Sequence, residues 1–192
     1  MTEFKGNKTE LRRLLKLEAE KSPDSERLLE SVKVSDSFFK LDAYIKAETV
    51  CCYASVSPEV DTNSVMRRVL KDGKRLCLPK IKSGFSLAML EIKTLDELYQ
   101  GRFGIPEPGV KCIEIQKKEI DLCIVPCVAC TKTGCRLGRG AGFYDRFLKN
   151  SEFYKVAFCR KFALLDEIQA EPHDIRMDCV LSDGEVFYIN EA

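Results

Sequence analysis

The stretch I-D-L-C-I-V-P-C-V-A-C-T-K-T-G-C-R-L-G-R-G-A-G-F-Y-D-R, Ile120 to Arg146, carries the reading from which the fold follows. Residues 120–126 predict a strand, apolar from Leu122 onward as a central strand of a parallel sheet is, buried on both faces. Thr131 to Gly134 predicts a turn, and a helix is expected over residues 142–150. Between them Gly138, Gly140 and Gly142 alternate, so the backbone can bend tightly and turn successive amides outward. Amides at a helix start, with the dipole behind them, favour an anion. Lys132, Arg136 and Arg139 add positive charge at the same place, and the planar fork of arginine suits phosphate oxygens. The physical reading is a phosphate cradle, although a plain tight turn would use the same glycines. It is not a P-loop, because no G-K-[ST] follows. It is not the dinucleotide fingerprint, because the third glycine position, counted from Gly138, holds Phe143.

Outward from this stretch, strands and helices alternate. Residues 5–20 read as an amphipathic helix with Leu11, Leu14, Leu15 and Leu17 as its apolar stripe. Ser22-Pro23 starts a second helix, with Ser22 as N-cap and Pro23 at the first helical position, and Leu28, Leu29 and Val32 mark it. Residues 49–55 predict a buried strand. Thr62 is placed to cap a helix carrying Val65, Met66, Val69 and Leu70, closed by Gly73. Strands are expected at 75–79 and 86–92, and Thr94 to Glu97 reads as a capping box. Residues 101–110, with three glycines and two prolines, read as loop. Short strands follow at 154–159, 177–181 and 185–189. The pattern implies an α/β fold: an open, mostly parallel sheet flanked by helices, Rossmann-like, in a single domain over residues 1–192.

Composition excludes several function classes. The 192 residues carry 31 Lys and Arg against 30 Asp and Glu, so the chain is a poor general binder of nucleic acid or anionic membrane. The longest apolar run, residues 122–130, is far short of the roughly 18 residues a membrane span needs. No apolar core for a secretory signal is present near Met1, so a cytoplasmic protein is expected. Charge is locally asymmetric: residues 131–161 hold eight Lys or Arg against two acids, and residues 163–192 hold eight acids against Arg176. A basic stretch in a neutral protein suits a small polyanion, and an acidic stretch folding back near it could hold a divalent cation. The ten cysteines are expected to be reduced thiols. Cys127-Val-Ala-Cys130 has the spacing of half a zinc site, but no second C-x-x-C exists and the single histidine, His173, is remote in sequence. Buried small apolar residues are the expected reading of these cysteines.

Residues 136–146 resemble the signature of the 5-formyltetrahydrofolate cyclo-ligase family, R-L-G-x-G-x-G-Y-Y-D-R after a strand ending V-P-x-V-A, here Ile124 to Ala129. Outlying pieces fall in the same order: Lys8-Thr-Glu-Leu-Arg12, Tyr53 with Glu59-Val-Asp-Thr62, Gly104-Ile-Pro-Glu-Pro108, and His173-Asp174 with Asp178. The resemblance implies an enzyme that uses ATP and Mg2+ to convert 5-formyltetrahydrofolate to 5,10-methenyltetrahydrofolate, releasing ADP and phosphate. It implies that Lys8, Arg12 and Arg136 to Tyr144 (Arg136, Leu137, Gly138, Arg139, Gly140, Ala141, Gly142, Phe143 and Tyr144) contact ATP. It further implies that Tyr53, Glu59 and Arg139 to Phe143 face the folate. Asp145 and Asp174 would ligate Mg2+, and Arg139 and Asp145 would serve the chemistry. Small-molecule substrates and a monomer are expected. Two departures bear on binding: Ala141 stands where the family often has Lys or Gly, and Phe143 replaces the first tyrosine of the Y-Y pair.

Overall fold

The computed structural model describes residues 7–82, 86–101 and 104–189. In chain order the helices are α1 (Lys8–Lys21), α2 (Asp24–Phe38), α3 (Asp42–Lys46), α4 (Asn63–Lys71) and α5 (Phe143–Leu148). The strands are β1 (Thr49–Cys51), β2 (Arg75–Ile81), β3 (Leu87–Ile92), β4 (Leu98–Gln100), β5 (Pro106–Pro108), β6 (Ile113–Ile115), β7 (Leu122–Pro126), β8 (Ala129–Thr131), β9 (Arg136–Leu137), β10 (Tyr154–Phe158), β11 (Leu164–Leu165), β12 (Cys179–Ser182) and β13 (Glu185–Tyr188).

Eight strands form the main sheet in the order β13-β12-β10-β7-β1-β2-β3-β6. The inner five, β12 to β2, run parallel. Antiparallel partners close both edges, β13 on one side and β3 with β6 on the other. This is the expected open, mostly parallel α/β sheet, and residues 122–126 lie at its centre. Side chains alternate between two cores. Val50, Leu122, Ile124, Val156 and Phe158 face Phe38, Tyr44 and Met66 of α2, α3 and α4. Cys51, Cys123, Val125 and Ala157 face Leu11, Leu15 and Leu148 of α1 and α5. A strand whose successive residues enter opposite cores must be apolar throughout, which is why β7 is legible as central.

Several local expectations are corrected. Residues 5 and 6 of the expected first helix lie outside the described residues. Leu11 and Leu15, with Ala19, form the buried stripe of α1, whereas Leu14 and Leu17 are exposed. In α2 the buried face is Ser31, Val34, Ser35 and Phe38, and Leu28, Leu29 and Val32 point outward. Ser22 closes α1 rather than opening α2, whose N-cap is Pro23. The strand expected over 49–55 pairs only over Thr49–Cys51. Beyond it the chain turns away, because Thr62 closes a loop on residues 53–55. Its hydroxyl donates to the Tyr53 carbonyl at 2.6 Å and accepts from the Ser55 amide at 3.1 Å. Thr62 is therefore a loop clasp and makes no side-chain cap on α4.

The proline segment read as loop contains β5, paired antiparallel with β4. The bonds Gly101 N–H to Ile105 carbonyl and Gly109 N–H to Glu97 carbonyl show why two prolines are tolerated. Pro106 and Pro108 fall at the alternate positions, where no N–H is required. Arg102 and Phe103 lie outside the described residues.

Candidate active site

The glycine segment leaves the carboxyl side of the central strand through β8 and the short strand β9, then enters α5. Carboxyl ends of parallel strands are where open α/β sheets bind ligands. Gly140 and Gly142 both have left-handed backbone, φ 103° and 67°. The Arg12 guanidinium lies 3.4 Å from where a Cβ on Gly140 would stand, so the segment is pressed against α1 as well as strained for other residues. Gly142 is the N-cap of α5, which spans six residues rather than the nine expected over 142–150. Asn150, with φ 57°, takes the left-handed turn that ends it. So short a helix contributes little dipole, and any anion held here would depend on the loop amides and arginines instead.

A cleft of about 810 Å³ opens over this segment. Every predicted site residue lines it: Lys8 and Arg12 from α1, Tyr53 and Glu59 from the loop after β1, the continuous run Arg136 to Asp145, and Asp174 near the end of the chain. His173 and Glu107 line it too. The basic stretch and the acidic stretch do fold against one another.

The charged side chains are largely paired across it. The Arg12 Nε donates to the Gly138 carbonyl at 2.7 Å, clamping α1 onto the glycine loop. Lys8 Nζ lies 2.7 Å from Asp174 Oδ2 and 3.3 Å from Glu171. Burial pushes the Asp174 carboxyl up, but the Lys8 ammonium and the Glu171 amide hold it below its ordinary value. Arg136 is buried, donates to the Pro126 carbonyl at 3.1 Å and pairs with Asp145 at 2.6 Å. Arg139 is half-exposed and pairs with Glu59 at 2.7 Å. Burial raises the Glu59 carboxyl above its ordinary value, and Arg139 with the Val56 amide opposes that. The Tyr53 ring is buried and its hydroxyl donates to the Val60 carbonyl at 3.4 Å, so it spans the Glu59 loop. Arg146 reaches back over Phe143 and donates to the Ala141 carbonyl at 2.8 Å.

Two buried polar atoms of cleft-lining residues, Arg136 Nε and the Tyr144 hydroxyl, have no hydrogen-bond partner among the described residues. Buried polar groups are nearly always satisfied, so both fit a site completed by a ligand or water. For a hard divalent cation the donor set is suitable. Glu171, His173 and Asp174 bring one ligand atom each within 4.8 Å of one another, and carboxylates sharing a cation with phosphates is the usual Mg2+ arrangement. Asp145 stands outside this cluster with one oxygen on Arg136.

Three residues of functional interest were not singled out in the sequence. Glu171 joins Asp174 and His173. Arg160 is buried and binds the carbonyls of Pro58, Glu59 and Arg27 and the Glu30 carboxylate, holding the Glu59 loop. Arg146 caps the glycine loop. Each is a common surface residue type, and only the fold gives it a place.

The sequence model of the 5-formyltetrahydrofolate cyclo-ligase family matches residues 4–183. A 5-formyltetrahydrofolate cyclo-ligase of Mycolicibacterium smegmatis is 35% identical over 145 residues, 72% of this chain and 75% of that protein. The Escherichia coli protein of the same name is 32% identical over 149 residues, covering 74% and 82%. The mouse protein of that name is 27% identical over 191 residues, 92% of each chain. The solution structure of Aquifex aeolicus 5,10-methenyltetrahydrofolate synthetase superimposes with a TM-score of 0.86 at 30% identity, covering 96% of this chain and 94% of that one. A Mycoplasma pneumoniae 5,10-methenyltetrahydrofolate synthetase shares the fold, with a TM-score of 0.76 at 20% identity over 93% of this chain and 99% of its own. Among the described residues no helix is long and apolar enough to cross a membrane. The glycine-and-arginine segment, the cleft it lines and these likenesses agree, and the chain is an enzyme of the 5-formyltetrahydrofolate cyclo-ligase family.

Proposed function

We propose that this enzyme converts 5-formyltetrahydrofolate to 5,10-methenyltetrahydrofolate at the expense of ATP, with Mg2+, as a cytoplasmic monomer of one domain. The observation that carries the reading is the convergence on one cleft of Lys8, Arg12, Glu59, the run Arg136 to Asp145, and Asp174. Cations and free amides suit a triphosphate, and a buried carboxylate suits the N–H donor edge of a pterin.

In the proposed reaction the N5-formyl oxygen attacks the γ-phosphorus of ATP and ADP leaves. The formyl carbon then carries a phosphorylated iminium. N10 adds to that carbon and loses its proton, and the carbon–oxygen bond breaks to release phosphate. No side-chain nucleophile is required, and the protein's work is positioning and charge stabilisation. Lys8 and Arg12 of α1, with Arg136 and Arg139, would face the phosphates, and the amides from Leu137 to Tyr144 would line them. Glu59 would take the pterin N–H groups beside Tyr53, and Arg139 to Phe143 would separate the two substrates. Asp174, with Asp145 or Glu171, would hold Mg2+, which supplies charge neutralisation of the phosphoryl oxygens. Phe143 offers the ring of the usual tyrosine without its hydroxyl. The cation of Arg146, hydrogen-bonded at Ala141, stands near the position where a lysine is common in the family.

The test is optical. Purified enzyme, Mg-ATP and folinic acid are mixed, and the near-ultraviolet absorbance of the methenyl product is followed beside an ADP assay. A rise that needs ATP and Mg2+ together is expected. Folded enzyme that binds ATP and gives no rise would overturn the folate assignment.

A further inference from the structure

We propose that Cys127, Cys130 and Cys159 form a three-thiolate site for a divalent cation of the zinc class, set behind the wall of the substrate cleft. The inference is independent of the proposed reaction, since none of the three sulfurs is given a part in it.

The three Sγ atoms lie within 4.8 Å of one another. Zinc–sulfur bonds of about 2.3 Å in tetrahedral or trigonal geometry set sulfur–sulfur separations near 3.8 Å, so closure on an ion asks each sulfur to move by less than about 1 Å. The convergence follows from strand register. β7 and β10 are parallel neighbours with Pro126 beside Phe158. The next residues, Cys127 and Cys159, therefore leave the sheet side by side. Cys130 lies in β8, three residues beyond Cys127, and returns to the same point. The two-ligand spacing legible in the sequence is thus completed by a cysteine 29 positions further on, from the adjacent strand. Of the ten free cysteines, these alone form a group of three ligand atoms so close together among the described residues.

The surroundings give an ion a way in and a counter-charge. Cys130 and Cys159 are fully buried and Cys127 is half-buried, which leaves one ligand facing the route by which an ion would enter. Three thiolates and a divalent cation leave one net negative charge, next to Arg136. Without an ion the Cys127 thiol donates to the Phe158 carbonyl at 3.1 Å and the Cys159 thiol to the Arg160 carbonyl at 3.4 Å, so binding would release these protons, and the accessible side of Cys127 would admit a fourth donor such as water. A zinc site with three protein ligands and one open position is a familiar arrangement. Pro126 and Arg136 line the cleft, and Arg160, next to Cys159, holds the Glu59 loop. A bound ion would therefore fasten together the strand ends from which the cleft wall departs.

The experiment uses the full chain, reduced and stripped of metal. Zn2+ is titrated in competition with a chromophoric chelator, and Cd2+ in a parallel sample reports thiolate ligation by its ultraviolet charge-transfer band. One equivalent bound with a dissociation constant below about 1 µM, with proton release and a raised melting temperature, is expected. Cys127→Ser and Cys159→Ser should each weaken binding by about a hundredfold or more, because each removes one of three ligands. Cys112→Ser, half-buried elsewhere, should bind as the wild type does. If Cys159→Ser fails to fold, Cys127→Ser, at the more accessible position, decides alone. Absence of a Cd2+–thiolate band, binding weaker than this, or undiminished affinity in Cys127→Ser would each overturn the site. So would a Cys127–Cys130 disulfide that survives reduction and excludes metal.

Discussion

Arg139 Nη2 stands 2.7 Å from Glu59 Oε1, and this ion pair joins the glycine loop to the loop after β1 across the cleft. The family resemblance assigns Glu59 to the folate and Arg139 to both ATP and folate, and here the two residues hold each other in place. Burial raises the Glu59 carboxyl, and Arg139 draws it back toward the ordinary range. Removing the arginine leaves only the raising influence. Arg139→Ala should accordingly move the acidic limb of the pH profile for folinic acid use to higher pH. It should also raise KM for ATP about fivefold to 150-fold, the equivalent of about 1–3 kcal/mol, if the guanidinium takes a phosphate in turnover. Steady-state kinetics across the acidic range checks both. A limb that stays where it is would remove Glu59 from the folate contacts.

Arg160 acts on the same loop from behind. Its guanidinium reaches the Pro58, Glu59 and Arg27 carbonyls and the Glu30 carboxylate, and the residue is buried. No lysine can span four acceptors in that geometry. Arg160→Lys and Arg160→Met are both expected to lower stability, Arg160→Met by about 3–5 kcal/mol because Glu30 keeps only the Lys161 amide and the carbonyls lose their donors. A positioning role predicts a split in the kinetics of Arg160→Lys: KM for folinic acid rises while KM for ATP stays near wild type. Equal effects on the two substrates would reduce Arg160 to a purely structural brace.

How far the sequence reveals the site depends on whether the information is local. The glycine alternation, the arginines beside it and the apolar strand before it act within a few residues, and all three are legible. Periodicity separates helix from strand, but it does not choose the buried face when both faces carry leucines. Hence Leu28 and Leu29 advertise α2 while Ser31, Val34 and Phe38 bury it. The prolines of β5 hide a strand, because the pairing phase that excuses them is set by β4 and by glycines on either side. Ion pairs are invisible for the same reason. Lys8 and Asp174 are 166 positions apart, and only the meeting of α1 with the last turns of the chain gives either a partner.

That meeting makes a titration prediction. The Asp174 carboxyl lies below its ordinary value because Lys8 and the Glu171 amide outweigh burial. A lowered carboxylate contributes stability that is present above its unfolded value, about 3.9, and is lost as pH falls through the lower folded value. In Lys8→Met burial remains and the ammonium is gone, so the carboxyl should titrate higher than in the wild type. Carbon-13 NMR of the Asp174 carboxyl reads this directly, and acid unfolding should begin at higher pH in the variant. An unshifted titration would mean that Lys8 is not the group that holds Asp174, and would leave the ammonium free for phosphate.

Asp145 divides the structural from the metal-binding account of the glycine segment. Its pairing with buried Arg136 at 2.6 Å explains the residue without any ion, since the arginine would otherwise hold a buried charge beneath the cleft. Asp145→Asn keeps the shape and a hydrogen-bond acceptor but removes the charge. The ion pair alone predicts a lowered melting temperature and a raised KM for ATP, with the Mg2+ concentration for half-maximal rate unchanged, because Arg136 would lose its fixed position. Ligation of the ion predicts that this Mg2+ requirement rises as well. The proposed role of Asp145 beside Asp174 calls for both changes. A thermal loss with unaltered Mg2+ dependence would assign the ion to Asp174 and Glu171, whose carboxylates share the Lys8 ammonium and would take the ion as Lys8 turns to phosphate.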